Sequence, residues 1–227
     1  MVRPRDVSRL PRAAINRARL MLKRVGRALY RRVSPAEREF RRIWPAIDSI
    51  EGLLVSPMQE RWLFKAARSL RDQAIILEIG SFKGRSTCCL AYGCRGTGKH
   101  VFAIDTFEGN EADFFQRGFF DEFSRNIEAC GLTEYVTPLT GRSDEVAKLW
   151  ERPIDLLFID GSHRYEDVLT DFRNFFDWVI PGGVLALHDV GDGRGWPGPY
   201  RAWHGDIKSQ LMDIGSCDTL AFGRKPK

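Results

Sequence analysis

Apolar residues gather in short runs at 75–79, 101–104, 135–139, 154–159 and 183–188, each followed by a longer stretch of mixed polarity. Such runs without alternation read as strands buried on both faces, and the intervening segments are long enough for helices. Five strands with crossovers predict a parallel, doubly wound α/β sheet of Rossmann-like type. Only one further strand, roughly 218–222, follows the fifth. Upstream, Ser56-Pro57-Met58-Gln59 offers an N-cap, a proline at the first helical position and a glutamine three on from the cap. A helix is predicted from there through Trp62, Leu63, Phe64 and Ala66 to Leu70.

The N-terminal part follows a different period. Val7, Leu10, Ala14, Ala18, Met21, Val25 and Ala28 recur at three- and four-residue steps, a helical stripe flanked by arginines. Residues 1–42 hold fourteen Arg and Lys against three acids, a net +11; the whole chain is +5, so the remainder carries −6. The division expected is a basic amphipathic extension over 1–45, punctuated by Pro35 and Pro45, and an α/β domain over 46–227. The stripe reads as a helix lying on an anionic membrane surface, with a nucleic-acid arm (the less favoured) and a partner-packed helix as alternatives. It lacks the uninterrupted apolar centre of a secretory signal, whereas a transit peptide has a similar composition. Five cysteines without C-x-x-C spacing argue against a disulfide framework or structural zinc, and fit small buried residues in a reducing cytoplasm. No apolar run approaches the ~20 residues of a membrane span, so a cytoplasmic protein, peripheral to the membrane through its arm, is expected.

Ligands of doubly wound sheets bind beyond the carboxyl ends of the strands. After the first strand stands "EIGSFKGRST", with Gly80 and Gly84 spaced G-x-x-x-G. There is neither G-x-G-x-x-G nor G-K-[ST], which disfavours a dinucleotide pyrophosphate site and a Walker loop. Glu78 would repel phosphate and suits an ammonium group. The second strand ends "AIDTFEG"; Asp105 lies 25 residues beyond Gly80, where such folds place the acid that bonds ribose hydroxyls. The third leads to "TGRSDE", small and polar, suited to an adenine edge. The fourth ends "FIDGSHRYEDV" with Asp160 and His163, and the fifth, entered through "PGG", ends at His188-Asp189. Asp160-Gly161 taken alone reads equally as a turn, and His188 as a satisfied core histidine. Asp167, Asp171 and Asp177 read as the solvated face of the next helix, with Phe172 and Trp178 in the core.

Taken together, "EIGSFKGRST", "AIDTFEG", "FIDGSHRYEDVLTDF" and "PGGVLALHD" resemble the class I S-adenosylmethionine-dependent methyltransferases. Within them the pattern is similar to the group of macrocin-type O-methyltransferases and cephalosporin-hydroxylase-like proteins, with catechol-type enzymes more distant. The resemblance covers about residues 50–227, leaves the arm outside, and implies a seven-stranded sheet, trimmed here because one clear strand follows the fifth. It implies methyl transfer from S-adenosylmethionine to a hydroxyl of a small molecule, sugar or glycan. Gly80, Ser81, Gly84 and Ser86 would cradle the methionine part and Glu78 its amino group. Asp105 would hold the ribose, with Thr106 and Phe107 bordering it and Arg142 and Ser143 near the adenine.

In metal-dependent relatives, the acid ending the fourth strand and an acidic or acid-amide pair ending the fifth bind Mg²⁺, which lowers the pKa of the acceptor hydroxyl. Asp160, His188 and Asp189 match those positions, and Asp160 counts in the cofactor, catalytic and metal sets. His188 stands where those relatives carry a carboxylate, although Mg²⁺ prefers oxygen ligands. His163 falls on the position of a proton acceptor, a task that suits an imidazole with its ordinary pKa near ~6.5. Metal assistance and base catalysis alone both remain open at this point. Two aromatic-rich stretches, 107–123 and 191–206, read as acceptor-shaping loops, with aromatics packing a lid helix an equal reading of the first. The rival readings are a nicotinamide-dependent oxidoreductase, and a membrane- or nucleic-acid-binding protein with a vestigial cofactor fold. A homo-oligomer is compatible with either.

Overall fold

The computed structural model describes residues 34–52, 56–108 and 118–227. The arginine-flanked stripe of residues 1–33, and Phe114 and Phe115 in the first aromatic stretch, lie outside the described residues. Met1–Arg42 and Ile43–Lys227 form separate compact units. Helix α1 spans Pro35–Asp48, with Pro45 inside it.

Helix α2 (Pro57–Ser69) begins as its sequence predicts. Ser56 Oγ accepts from Gln59 N at 3.4 Å, and Gln59 Oε1 accepts in return from Ser56 N at 2.9 Å. Leu63, Phe64 and Ala67 bury its inner face, and each large side chain so removed from water contributes roughly 1.5–3 kcal/mol. α2 packs on α3 (Arg85–Cys94), where a Cβ on Gly93 would come within 2.7 Å of Ala67 Cβ and 2.8 Å of Phe64 O. Cys88, Cys89 and Cys94 on α3, and Cys130, are buried free thiols as expected, whereas Cys217 is a free thiol only half-buried.

The seven strands among the described residues are β1 (Ile75–Ile79), β2 (His100–Asp105), β3 (Val136–Thr140), β4 (Ile154–Ile159), β5 (Val179–Leu187), β6 (Met212–Cys217) and β7 (Leu220–Arg224). Their order is β3-β2-β1-β4-β5-β7-β6, with the first five parallel and β7 antiparallel to both neighbours. The sheet is thus complete and not trimmed. β6 escapes an apolar pattern because it is an edge strand, with every residue exposed or half-buried. All six residues of β4 are buried, which explains why its run does not alternate. At the opposite ends, Arg71 forks onto Asp155 at 2.6 and 3.0 Å, and Asp155 Oδ2 also accepts from Ile75 N at 2.9 Å, pinning β1 beside β4.

One face of the sheet is covered by α6 (Tyr165–Phe175), whose Val168, Leu169, Phe172 and Phe175 join Trp150, Ile154 and Leu185 in one apolar cluster. Two assignments on this side change. Asp171 is buried at 4% exposure instead of solvated, and Trp178 is 38% exposed instead of core. Trp178 belongs to the short 3-10 turn that follows α6, which has left the helix's inner face. No helix among the described residues is long and apolar enough to cross a membrane.

Register sets the level of the strand ends. Ile79 lies opposite Ile104 and Ile159, and Ile159 opposite Leu187. The next residues, Gly80, Asp105, Asp160 and His188, therefore share one sheet edge. Backbone bonds carry the alignment past the strands: Gly80 N to Ile104 O at 2.9 Å, Asp160 N to Ile79 O at 2.8 Å and His188 N to Ile159 O at 3.0 Å.

Candidate active site

The turn after β1 is built for close approach. Gly80 has φ +88°, and a Cβ there would collide with the backbone carbonyl of Asp160. Only glycine satisfies both conditions. Gly84, also at φ +88°, opens α3 against Phe123.

Glu78 is fully buried beneath this turn. Its Oε2 accepts from Ser81 Oγ at 3.2 Å and from Thr87 Oγ1, while its Oε1 has no hydrogen-bond partner. Burial pushes its pKa up to about 7, against the lowering effect of the Ser86, Thr87 and Ser81 hydroxyls; nearby Asp160 adds to the rise. A buried carboxylate oxygen without a partner suits a cationic group.

Asp105 has a fuller set of partners than its sequence position suggests. Oδ2 accepts from Ser81 N at 2.8 Å and Phe82 N at 2.7 Å, and Oδ1 accepts from Phe107 N at 2.7 Å. Three of about four acceptor sites on the carboxylate are used to shape the turn, which leaves one for a hydroxyl. Thr106 Oγ1 accepts from Glu108 N at 3.4 Å. Phe107 adopts φ +56° and turns its ring inward against Phe120 and Phe123 of α4 (Phe120–Ala129), at centroid distances of 5.2 and 5.0 Å. It supports the site from beneath and does not line it with an open ring.

The pair set beside adenine by the sequence pattern lies at the start of α5 (Ser143–Ala147). Arg142 is exposed and paired to Asp144 at 2.9 Å, whereas Ser143 Oγ donates to the buried Asp171. Burial raises Asp171 to about 6, and the bond from Ser143 opposes that rise. Ser143 thus has a structural partner that the sequence pattern did not show.

The ends of β4 and β5 converge on a cluster of four side chains. His188 Nδ1 lies 2.9 Å from Asp160 Oδ1 and 3.2 Å from Asp189 Oδ2, yet neither oxygen lies along its N–H direction well enough to form a hydrogen bond. The proximity is therefore electrostatic. His163 Nε2 lies 2.8 Å from Asp189 Oδ2. Burial pulls His188 toward neutral, but Asp160 and Asp189 outweigh it and raise its pKa to about 10. Burial likewise pushes Asp189 up, but the hydrogen bond with His163 and the nearby charge of both imidazoles win and hold it well below the usual carboxylate range. Asp189 also adopts φ +55°, which costs a non-glycine residue roughly 1 kcal/mol.

His188 is as buried as a core histidine, at 2% exposure, but it faces the carboxylates. Its other nitrogen, Nε2, reaches Gln59 Oε1 at 3.2 Å. Asp160, His163 and Asp189 each bring one ligand atom within 4.8 Å of the others, and His188 Nδ1 borders both carboxylates. Trp196 stacks on His163 with centroids 4.1 Å apart and planes at 17°. The loop carrying Trp196 is held by α7 (Pro197–Ala202), where a Cβ on Gly198 would collide with His163 O. The sequence pattern finds neither the Trp196 stack nor the Gln59 contact.

A seven-stranded α/β sheet with a glycine turn, a buried acid and an acid–imidazole cluster along one edge defines a Rossmann-like methyltransferase fold. The sequence places the protein more closely. Residues 77–190, half of the chain, match the methyltransferase-domain family, and the protein belongs to that family. Protein R132 of Acanthamoeba polyphaga mimivirus is 43% identical over 130 residues, covering 56% of each chain. Demethylmacrocin O-methyltransferase of Streptomyces fradiae is 28% identical over 115 residues, 47% of this chain and 28% of that one. The chain thus spans about half or less of the length of these curated relatives. The O-methyltransferase TomG of Streptomyces achromogenes, solved in complex with S-adenosylmethionine, shares the fold at TM-score 0.59 and 18% identity. That match covers 86% of this chain and 91% of TomG.

Proposed function

We propose that the protein transfers a methyl group from S-adenosylmethionine to a hydroxyl oxygen of a small molecule, sugar or glycan. One observation carries this reading: the glycine turn over Glu78 and the Asp160–His163–His188–Asp189 cluster sit in backbone contact on one sheet edge. Cofactor and acceptor would meet there. Methyltransferase-family membership and the relative named as an O-methyltransferase support it.

Each residue has a distinct task in this reading. The bare Glu78 Oε1 takes the cofactor ammonium, while the Ser81 and Thr87 hydroxyls hold Oε2 in place. The remaining acceptor site of Asp105 takes a ribose hydroxyl. Because the Asp189 carboxylate only accepts, His163 Nε2 donates to it, and His163 Nδ1 is left to act as the base. As the acceptor oxygen attacks the methyl carbon, the new C–O bond forms, the C–S bond breaks with its electron pair going to sulfur, and the hydroxyl proton passes to His163 Nδ1. Asp189 then stabilises the imidazolium. Trp196 keeps the His163 ring in plane and offers an aromatic surface, 40% exposed, to the acceptor.

The donor set fits a divalent ion, since His188 Nδ1 is a buried nitrogen with no hydrogen-bond partner beside two carboxylate oxygens. Held by Asp160, His188 and Asp189, such an ion would supply the charge that lowers the acceptor hydroxyl's pKa.

For residues 1–34 we propose binding to an anionic membrane surface, which would make the enzyme peripheral; the arginine-flanked apolar repeat supports this. Calorimetry tests the central reading. S-adenosylmethionine and S-adenosylhomocysteine should bind with micromolar-scale affinity and NAD should not. Binding of NAD alone would overturn it.

A further inference from the structure

Gln59 belongs to the capping box of α2, yet its side chain reaches 129 residues along the chain to His188. Its amide orientation is not ambiguous. A backbone N–H can only donate, so the atom 2.9 Å from Ser56 N is the oxygen, Oε1. The amide nitrogen, Nε2, then faces Thr219 Oγ1 at 2.7 Å, next to β7. Gln59 is 1% exposed and has no room to turn over without losing both bonds.

The fixed oxygen dictates the chemistry of His188. Oε1 can only accept, so His188 Nε2 carries the hydrogen across the 3.2 Å contact. Nδ1 is therefore the nitrogen left open to a ligand, and it stands beside Asp160 Oδ1 and Asp189 Oδ2. A divalent ion held between the three would take the place of the hydrogen that Nδ1 carries in the charged imidazole.

We infer that Gln59 is a positioning residue that fixes the His188 tautomer, turning Nδ1 into a metal ligand and the site toward a first-row transition ion in preference to Mg²⁺. This rests on the metal reading above. Outer partners that hold a ligating imidazole set both its tautomer and its basicity. An imidazole among two carboxylates makes a mixed nitrogen–oxygen set, which suits Mn²⁺, Fe²⁺ or Zn²⁺ better than an ion that demands oxygen.

The test uses the full chain and Mn²⁺ as the probe, with free ion counted by electron paramagnetic resonance and Mg²⁺ as competitor. The wild type should bind Mn²⁺ and keep it against a hundredfold excess of Mg²⁺. Gln59→Leu, checked for folding by circular dichroism, should lose about 10–100-fold in Mn²⁺ affinity. Gln59→Met, matched in length, serves if the leucine variant fails to fold. Gln59→Glu still accepts from both Ser56 N and His188 Nε2, and should restore the affinity. Thr219→Val leaves Oε1 oriented by Ser56 and should bind as the wild type does. If the wild type binds no Mn²⁺, the metal reading fails and this inference with it. If the wild type and both apolar variants bind equally, the role of Gln59 alone is overturned. Displacement of Mn²⁺ by equimolar Mg²⁺ overturns the ion preference.

Discussion

Replacing Glu78 by glutamine should stabilise the free protein and weaken its hold on the cofactor, two effects of opposite sign from one atom. The carboxyl has a folded pKa near 7, against an ordinary value of 4.5. The folded state therefore binds the proton more tightly than the unfolded one, and stability falls as pH rises from 4.5 to 7 and levels off above. The shift corresponds to about 3 kcal/mol lost across that window, since one pKa unit is worth about 1.36 kcal/mol. The Glu78→Gln variant would present an uncharged amide, with its oxygen accepting from Ser81 and Thr87 and its NH₂ where Oε1 stands bare. Urea melts at a series of pH values should show this fall in the wild type, and the difference between the two proteins should open between pH 4.5 and 7. At pH 8 the variant should then be the more stable. Binding reverses the order. The ammonium of S-adenosylmethionine gains a charge-assisted bond worth roughly 1.5–3 kcal/mol only from the ionised acid, so the variant should bind about 10–150-fold more weakly at pH 8. Wild-type affinity should climb as pH rises through 7, with a proton released on binding, visible in calorimetry as a dependence on buffer ionisation heat. Equal affinity of the two proteins at pH 8 would refute the ammonium contact. A variant less stable than the wild type at pH 8 would refute the burial cost.

Three further outcomes are expected. Asp105→Ala removes the acceptor of three backbone N–H groups and should cost about 3 kcal/mol in chemical denaturation as well as weakening both adenosyl ligands; an unchanged melt would count against its shaping of the turn. His163→Ala should lower kcat about 10²–10⁴-fold and leave the Kd for S-adenosylmethionine unmoved, whereas an equal fall in cofactor affinity would assign it a binding role instead. Deleting residues 1–34 should abolish sedimentation with anionic vesicles, and full-length binding should fall steeply with salt; equal binding to neutral vesicles would sink the electrostatic account.

Local chemistry was legible in the sequence and closure in space was not. The strand at 154–159 could be read because a segment buried on both faces must be apolar throughout. The capping box could be read because its two bonds join residues three apart. β6 could not, since its exposed edge carries no apolar pattern. Asp171 could not, because its hydrogen-bond partner in the buried state, Ser143, lies 28 residues away. The strand-end residues Asp160, His188 and Asp189 were nameable because a parallel sheet brings the ends of β4 and β5 to one level, whatever the lengths of the connections. Topology thus predicts which acids and imidazoles meet, but not which of their atoms face one another. That detail is decided by Gln59, whose neighbours in sequence assign it only the task of starting a helix. One amide serves both ends: Ser56 N–H fixes its oxygen, and the fixed oxygen fixes the imidazole. A substitution at position 59 that kept the helix intact would still change the chemistry at the end of β5.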